Sequence, residues 1–442
     1  MASRFPSSRR VARGAITLQM LVILVPVLFG LMGFALDLGR LYLVRGELNQ
    51  AANTMALAAA QQLFGTVNSL SNATTVAQTS LDNSAGAANT YNFGAIVVGQ
   101  SAGDLTSTVN PPAFFATMAD VISAGTQADG TTARYVQISL QADAPLLFFS
   151  LLPGGESRKT SVAAQAVAGI STPLCTACNI EPFAIANQDG TGADAINFGL
   201  TVGQLYTFNF TCNGGQPNPI PGTLRLPYVF VNRYDTSNGN LDETQQLYRD
   251  FAGGMVSSPN ANPTGSAVPL ACVGINDAAE TIWASAVPGT CALGVPASVR
   301  EALCGLQTRQ DNSDPNGVCT NLVTDWTDLS ALYAPDSDIT TGQADDYTTY
   351  SGNGRRIFTV PVVDGVATNT TATMTVLGFR QFLLEPSDTV GTPLNPAQPN
   401  GQFVAMYIGS PAPVKTGWVD DRFALSCPVP VASGPGKVVL HR

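Results

Sequence analysis

Charge is scarce in this chain. Asp, Glu, Lys and Arg make up 12% of its 442 residues, about half the share usual in soluble domains. Lysine occurs three times, at Lys159, Lys415 and Lys437, and histidine once, at His441. One histidine beside the C-terminus argues against a Ser-His-Asp triad, a histidine-bound zinc centre or a buried histidine base. The net charge of −10 argues against nucleic-acid binding. No phosphate-loop pattern occurs, and Gly190-Thr191-Gly192 lacks the third glycine of a dinucleotide fingerprint. Carboxylates are scattered, so no glycosidase-type pair stands out. The sequence therefore predicts a non-enzymatic chain without cofactor or bound metal.

What is present is concentrated at the N-terminus. Residues 1–14 form a basic segment with Arg4, Arg9, Arg10 and Arg13 and no acid. An uncharged run of 22 residues follows, Ala15 to Leu36, closed by Asp37. A helix needs about 20 apolar residues to cross the hydrocarbon core. Arginines on the near side place the N-terminus in the cytoplasm and the remainder across the membrane. All 31 acids lie beyond the run. A cleaved secretory signal usually has a shorter apolar region and a small-x-small site; this run is longer, so an uncleaved single-pass anchor is expected. Pro26 sits mid-span, where a kink is expected.

The helical period does not stop at Asp37. Leu38, Leu41, Leu48, Ala52, Met55, Ala59 and Leu63 recur at three- and four-residue steps. The tail from Ala51 to Ala60 is rich in alanine, the best helix former, and Gly65 is a natural stop. One helix from about Ala15 to Phe64 is predicted: a membrane span over 15–36 and an amphipathic extension over 37–64.

These residues carry a family resemblance. Arg13-Gly14-Ala15, the apolar run with Pro26, then Asp37-Leu38-Gly39-Arg40, then Leu48-Asn49-Gln50-Ala51-Ala52 and the alanine tail resemble the N-terminal segment of the TadE/TadG-like proteins of Flp (tight adherence) pilus assembly. Asn53 stands where that family usually has an acid. The resemblance implies a bacterial inner-membrane protein that acts with other pilus or secretion components. Its mechanism would be helix-mediated association, since small residues let membrane helices approach closely. Many TadG-like proteins also carry a von Willebrand factor A domain with an Asp-x-Ser-x-Ser metal site. The nearest stretch here, Asp235-Thr236-Ser237-Asn238-Gly239, lacks the final serine, so that site is not expected. Gly14 is also reminiscent of a prepilin cleavage site, but the fifth residue on is Gln19, not Glu. Retention of the anchor is expected.

Beyond the anchor, 65–133 reads as loops and short elements. Val136, Ile138, Leu140 and Ala142 alternate with polar residues as a half-buried strand does. Pro145 ends it, the apolar run Leu146–Leu152 follows, and Thr160 to Ile170 reads as a second strand. Core packing is the default for Leu146–Leu152; contact with the membrane surface is the alternative. Residues 65–170 are thus expected to form a pilin-like α+β region.

All eight cysteines lie further on, at Cys175, Cys178, Cys212, Cys272, Cys291, Cys304, Cys319 and Cys427. An even count on the expected exported side fits disulfides in an oxidising compartment. Spacing leaves the connectivity open. Cys175-Thr-Ala-Cys178 sits between helix-breaking flanks, which disfavours a thioredoxin-like site, and a zinc site lacks a second such pair. Strands are expected at Tyr206–Phe210, Tyr228–Val231, Ile357–Val363, Thr371–Leu384 and Gln402–Ile408, with Pro361 marking an edge or a bulge. Helices are expected at Thr244–Phe251, Pro296–Leu306 and Asn321–Leu332. The acidic turns Asp235–Glu243 and Asp189–Asp194 match no calcium loop and read as solvated turns.

The overall expectation is an α+β protein. A long transmembrane helix carries a pilin-like α+β domain, followed by a mainly β, disulfide-containing domain over 171–442. The heads face the periplasm or the surface. An envelope-anchored adhesin or binding module is the alternative function.

Overall fold

The computed structural model describes residues 12–80, 101–102, 105–146, 148, 159–178, 180–181, 183–210, 218–232, 252, 272–275, 281–285, 297–311, 314, 317–323, 326, 333, 335–339, 346–365, 372–386, 394, 401–414, 416–418 and 433–441. The expected helix Thr244–Phe251, the turn Asp235–Glu243, and Cys212, Cys291 and Cys427 lie outside them.

Helix α1 runs Ala12–Ala60 without a break at Pro26. At 1.5 Å per residue it is ~74 Å long. It begins three residues earlier than expected and ends four earlier, ahead of Gly65, whose φ of 78° suits glycine. Its first half exposes apolar side chains such as Ile23, Val27 and Leu31, while Val44, Leu48, Ala52, Met55, Ala56 and Ala59 are buried. These buried positions recur every three or four residues and form one stripe.

That stripe lies on an antiparallel sheet. Its two long strands are β4 (Tyr135–Pro145) and β5 (Lys159–Ile170). Val136, Ile138, Leu140 and Ala142 of β4 and Val162, Ala164, Ala166 and Ala168 of β5 face the helix in one core. Alanine on both surfaces lets helix and sheet approach closely. Outside β4 lie β1 (Ser101–Ala102), β2 (Leu105–Val109) and β3 (Ala113–Phe115). Helices α2 (Ser69–Thr79) and α3 (Met118–Ser123) complete this part. Thr117 caps α3 by accepting from the Asp120 amide.

The largest sheet has seven strands. They are β7 (Phe183–Ala186), β8 (Leu205–Phe210), β9 (Leu224–Asn232), β11 (Thr281–Ser285), β12 (Ile357–Val363), β13 (Ala372–Leu384) and β14 (Phe403–Gly409). The pairings close on themselves: β13–β12–β7–β9–β8–β14 and back to β13. Closure removes sheet edges. The interior is filled with aromatic side chains, including Phe183, Phe208, Tyr228, Phe358, Phe382 and Phe403. Phe208 stacks on Phe403 at 4.6 Å and meets Phe382 edge-on at 5.1 Å. Helix α4 (Ala297–Gln307) adds Val299, Leu303 and Leu306 to this core.

The remaining strands, β6 (Thr176–Cys178), β10 (Cys272–Gly274) and β15 (Thr416–Trp418), form a small sheet. The last strand, β16 (Val438–His441), returns to pair antiparallel with β5. The junction between the two large sheets is bonded at the end of α1. The Tyr347 hydroxyl donates to the Phe64 carbonyl at 2.6 Å, and the Val67 amide donates to the Thr348 carbonyl at 2.9 Å.

The expected strands all appear. β12 is an interior strand, so Pro361 marks no edge; a register shift falls between Val362 and Val363. Of the expected helix Asn321–Leu332, residues 321–323 and 326 are described, and the others lie outside the described residues. A short helix, α5, spans Val318–Leu322, and Val323 is extended. The disulfide Cys304–Cys319 ties α5 to α4, which sets its position.

Candidate functional site: the anchor helix and its seam

Arg13 and Gly14 lie in the first turns of α1, and Pro26 is mid-helix and exposed. Among the described residues α1 is the one helix long and apolar enough to cross a membrane. Its outward-facing side chains at 18–36 are solvent-free only if lipid covers them: Leu18 is 67% exposed and Ile23 68%. Burying one such side chain stabilises by roughly 1.5–3 kcal/mol.

Asp37 closes the span and is buried, at 3% exposure. A buried carboxylate needs hydrogen-bond donors. Here the Phe148 amide donates to Oδ1 at 3.1 Å and to Oδ2 at 3.2 Å. The Phe148 ring lies on Gly33, one turn earlier; a Cβ there would fall 2.0 Å from the ring. Gly33 therefore leaves room for the ring, and Asp37 holds the backbone that carries it. Of the apolar run Leu146–Leu152, Leu146 and Phe148 are described. Phe148 packs against α1 at the C-terminal end of its apolar run. The sequence marked Asp37 as the end of the run but not its partner, and it passed over Gly33.

Gly39 and Arg40 fall on the next turn. Gly39 is exposed, with no described atom within 4 Å of an added Cβ, and Gly46 is the same. Tyr42 beside them is 77% exposed. The structure thus separates the motif residues: Asp37 faces the sheet, Gly39 faces away.

The other sequence-marked positions lie apart from this seam. Asp189 accepts from Thr191 and from the Asp194 amide, and Asp194 accepts from the amides of Ile196, Asn197 and Gly199. These amide donors hold both carboxyls below the usual carboxylate range. Asp314 is lowered likewise by Thr320 and the Cys319 amide, against a burial that pushes it up. Such bonding is that of turn-forming aspartates.

Cys304 and Cys319 are bridged, and Cys175 is disulfide-bonded; no free cysteine occurs among the described residues. Cys178 stands opposite Cys272 in the β6–β10 ladder.

Residues 14–62 match a family model described as putative Flp pilus-assembly TadE/G-like. The match covers α1 and its exit, the segment that holds Gly33, Asp37 and Gly39. It supports involvement in Flp (Tad) pilus assembly and a place at the membrane. No curated protein and no solved structure matches the chain.

Proposed function

We propose that this chain is a single-pass inner-membrane component of a Flp-type pilus-assembly system. It acts by structural placement rather than catalysis. The N-terminus is cytoplasmic and both large sheets stand in the periplasm or at the surface. The observation that carries this reading is the Asp37–Phe148 seam, whose helix side, with Gly33 and Asp37, lies within the matched segment. It joins the outer end of the span to the first sheet, so the heads are held at a fixed level above the bilayer. The exposed face with Gly39 and Gly46 is open to a neighbouring helix. Disulfides suit the oxidising side.

The test compares sheared surface fibres with washed membranes by immunoblot, beside a deletion strain. The proposal expects the chain in membranes and loss of fibres on deletion. Chain in the membrane with fibres intact after deletion would contradict it and leave the adhesin reading ahead.

A further inference from the structure

The small sheet gathers strands from distant parts of the chain, in the order β10–β6–β15, each three residues long. Two of its residues are cysteines. They stand directly opposite one another: Cys272 pairs with Cys178, Val273 with Ala177 and Gly274 with Thr176.

Backbone hydrogen bonding fixes what kind of pair this is. In an antiparallel ladder, pairs that exchange backbone hydrogen bonds alternate with pairs that do not. The Ile275 amide donates to the Cys175 carbonyl at 2.7 Å, and the same register, continued by one row, sets these two residues opposite each other. That row is therefore of the hydrogen-bonded kind. Counting back, Gly274–Thr176 is not, Val273–Ala177 is, and Cys272–Cys178 is not. Rows of the second kind bring opposed backbones closest, with Cα atoms about 4.5 Å apart and Cβ atoms about as near. A disulfide needs roughly 4.4–6.8 Å between Cα atoms and roughly 3.5–4.5 Å between Cβ atoms. The Cys272–Cys178 row meets both requirements.

Nearby alternatives fail on spacing. Cys175 is three residues from Cys178, about 10 Å along an extended chain, and about as far along the ladder from Cys272. Cα atoms more than about 7 Å apart cannot be bridged without moving the backbone. Cys175 is itself disulfide-bonded, and Cys304 is bonded to Cys319. We propose that Cys178 and Cys272 form a disulfide. Its formation joins the two sulfurs, releases two protons and passes two electrons to an external disulfide, which leaves as two thiols. The bridge ties β6 to β10 and closes a loop that contains β7, β8 and β9, three strands of the closed sheet. Cys175 and Cys178 are then bonded to separate partners, so the Cys-x-x-Cys stretch is no redox dithiol. The pairing follows from register alone, and its failure would leave the pilus-assembly reading untouched.

The test uses the full chain in detergent micelles without reductant. It is treated with oxidised glutathione, so that an oxidant is supplied whatever the compartment, then alkylated with N-ethylmaleimide in denaturant and cut with chymotrypsin. Cleavage after Leu270 and Trp283 releases Cys272 apart from Cys291. In the wild-type chain, mass spectrometry is expected to find the Cys272 peptide joined to the peptide carrying Cys178, with fragmentation placing the link on Cys178 rather than Cys175. Cys178→Ala is expected to leave Cys272 modified by the reagents, and Cys272→Ala to leave Cys178 modified, each in most molecules. The double variant is expected to gain no modified cysteine over wild type. If a single variant misfolds and reshuffles its bridges, the wild-type link and the double variant decide. Cys272 joined to any other cysteine overturns the proposal. So does either residue alkylated or glutathionylated in the wild-type chain, or two newly modified cysteines in the double variant.

Discussion

The Phe148 amide donates to both carboxylate oxygens of Asp37, at 3.1 and 3.2 Å, across 111 residues of chain. Hydrogen bonds to a charged group contribute about 1.5–3 kcal/mol. Asp37→Ala is expected to destabilise the full chain in micelles by that order, measured as a shift of the denaturation midpoint. Asp37→Asn keeps one acceptor oxygen and should lose less. Equal loss in both would assign the effect to helix packing instead.

Gly33 and Gly39 make a matched pair six residues apart. A Cβ added at Gly33 would meet the Phe148 ring; one added at Gly39 would meet no described atom within 4 Å. Gly33→Leu is therefore expected to displace the ring and raise hydrogen exchange in the strands beside it, β4 and β5. Gly39→Leu should leave exchange there unchanged. The same exchange pattern in both variants would sink the steric account.

The one-sided alternation of β4 was legible because one face packs on α1 and the other is more open. β8 misled in part. Tyr206, Phe208 and Phe210 point to the core as their spacing implies, yet Thr207 and Asn209 are buried too. Thr207 is covered through Thr223 and the Ile220 amide, contacts that alternation does not encode. Closure of the large sheet was not legible either. It depends on the β13–β14 pairing together with parallel pairs such as β8–β9, and each strand alone reads like any buried strand. The partner of Asp37 was hidden for a similar reason. A backbone amide donor has no residue type, so an apolar run such as Leu146–Leu152 does not announce it. The return of β16 to β5 likewise joins segments about 270 residues apart, as the His441–Val167 pairing shows.

The Cys304–Cys319 bridge closes a loop with a sequence separation of 15. In the chain-entropy account such a loop contributes about 3 kcal/mol. Cys304→Ala with Cys319→Ala should lower stability by that order and loosen Trp326, which packs in the same cluster. Tryptophan fluorescence during denaturant unfolding reads both. An unchanged midpoint would remove the bridge from the list of stabilising features.

Glu181 carries a pH signature. Burial pushes its carboxyl up to about 7 from 4.5, against the attraction of Arg309 and Arg355. The folded state thus holds a proton that the unfolded chain has released. Its contribution to stability is present below about 4.5 and declines as pH rises to about 7. The wild-type chain should show this decline in stability, and Glu181→Gln should not. A decline of equal size in the variant would move its origin elsewhere.

The central claim is that one helix holds the chain in the membrane with everything beyond it on the far side. The lysines make this directly measurable, because Lys159, Lys415 and Lys437 all lie beyond the span. Lys159 is exposed at the start of β5. A membrane-impermeant amine-reactive label, applied to intact spheroplasts and to sealed inverted inner-membrane vesicles and read by mass spectrometry, reports the side of the peptide carrying Lys159. Labelling of Lys159 in spheroplasts and protection in inverted vesicles is the predicted result. Labelling in inverted vesicles with protection in spheroplasts would contradict the account.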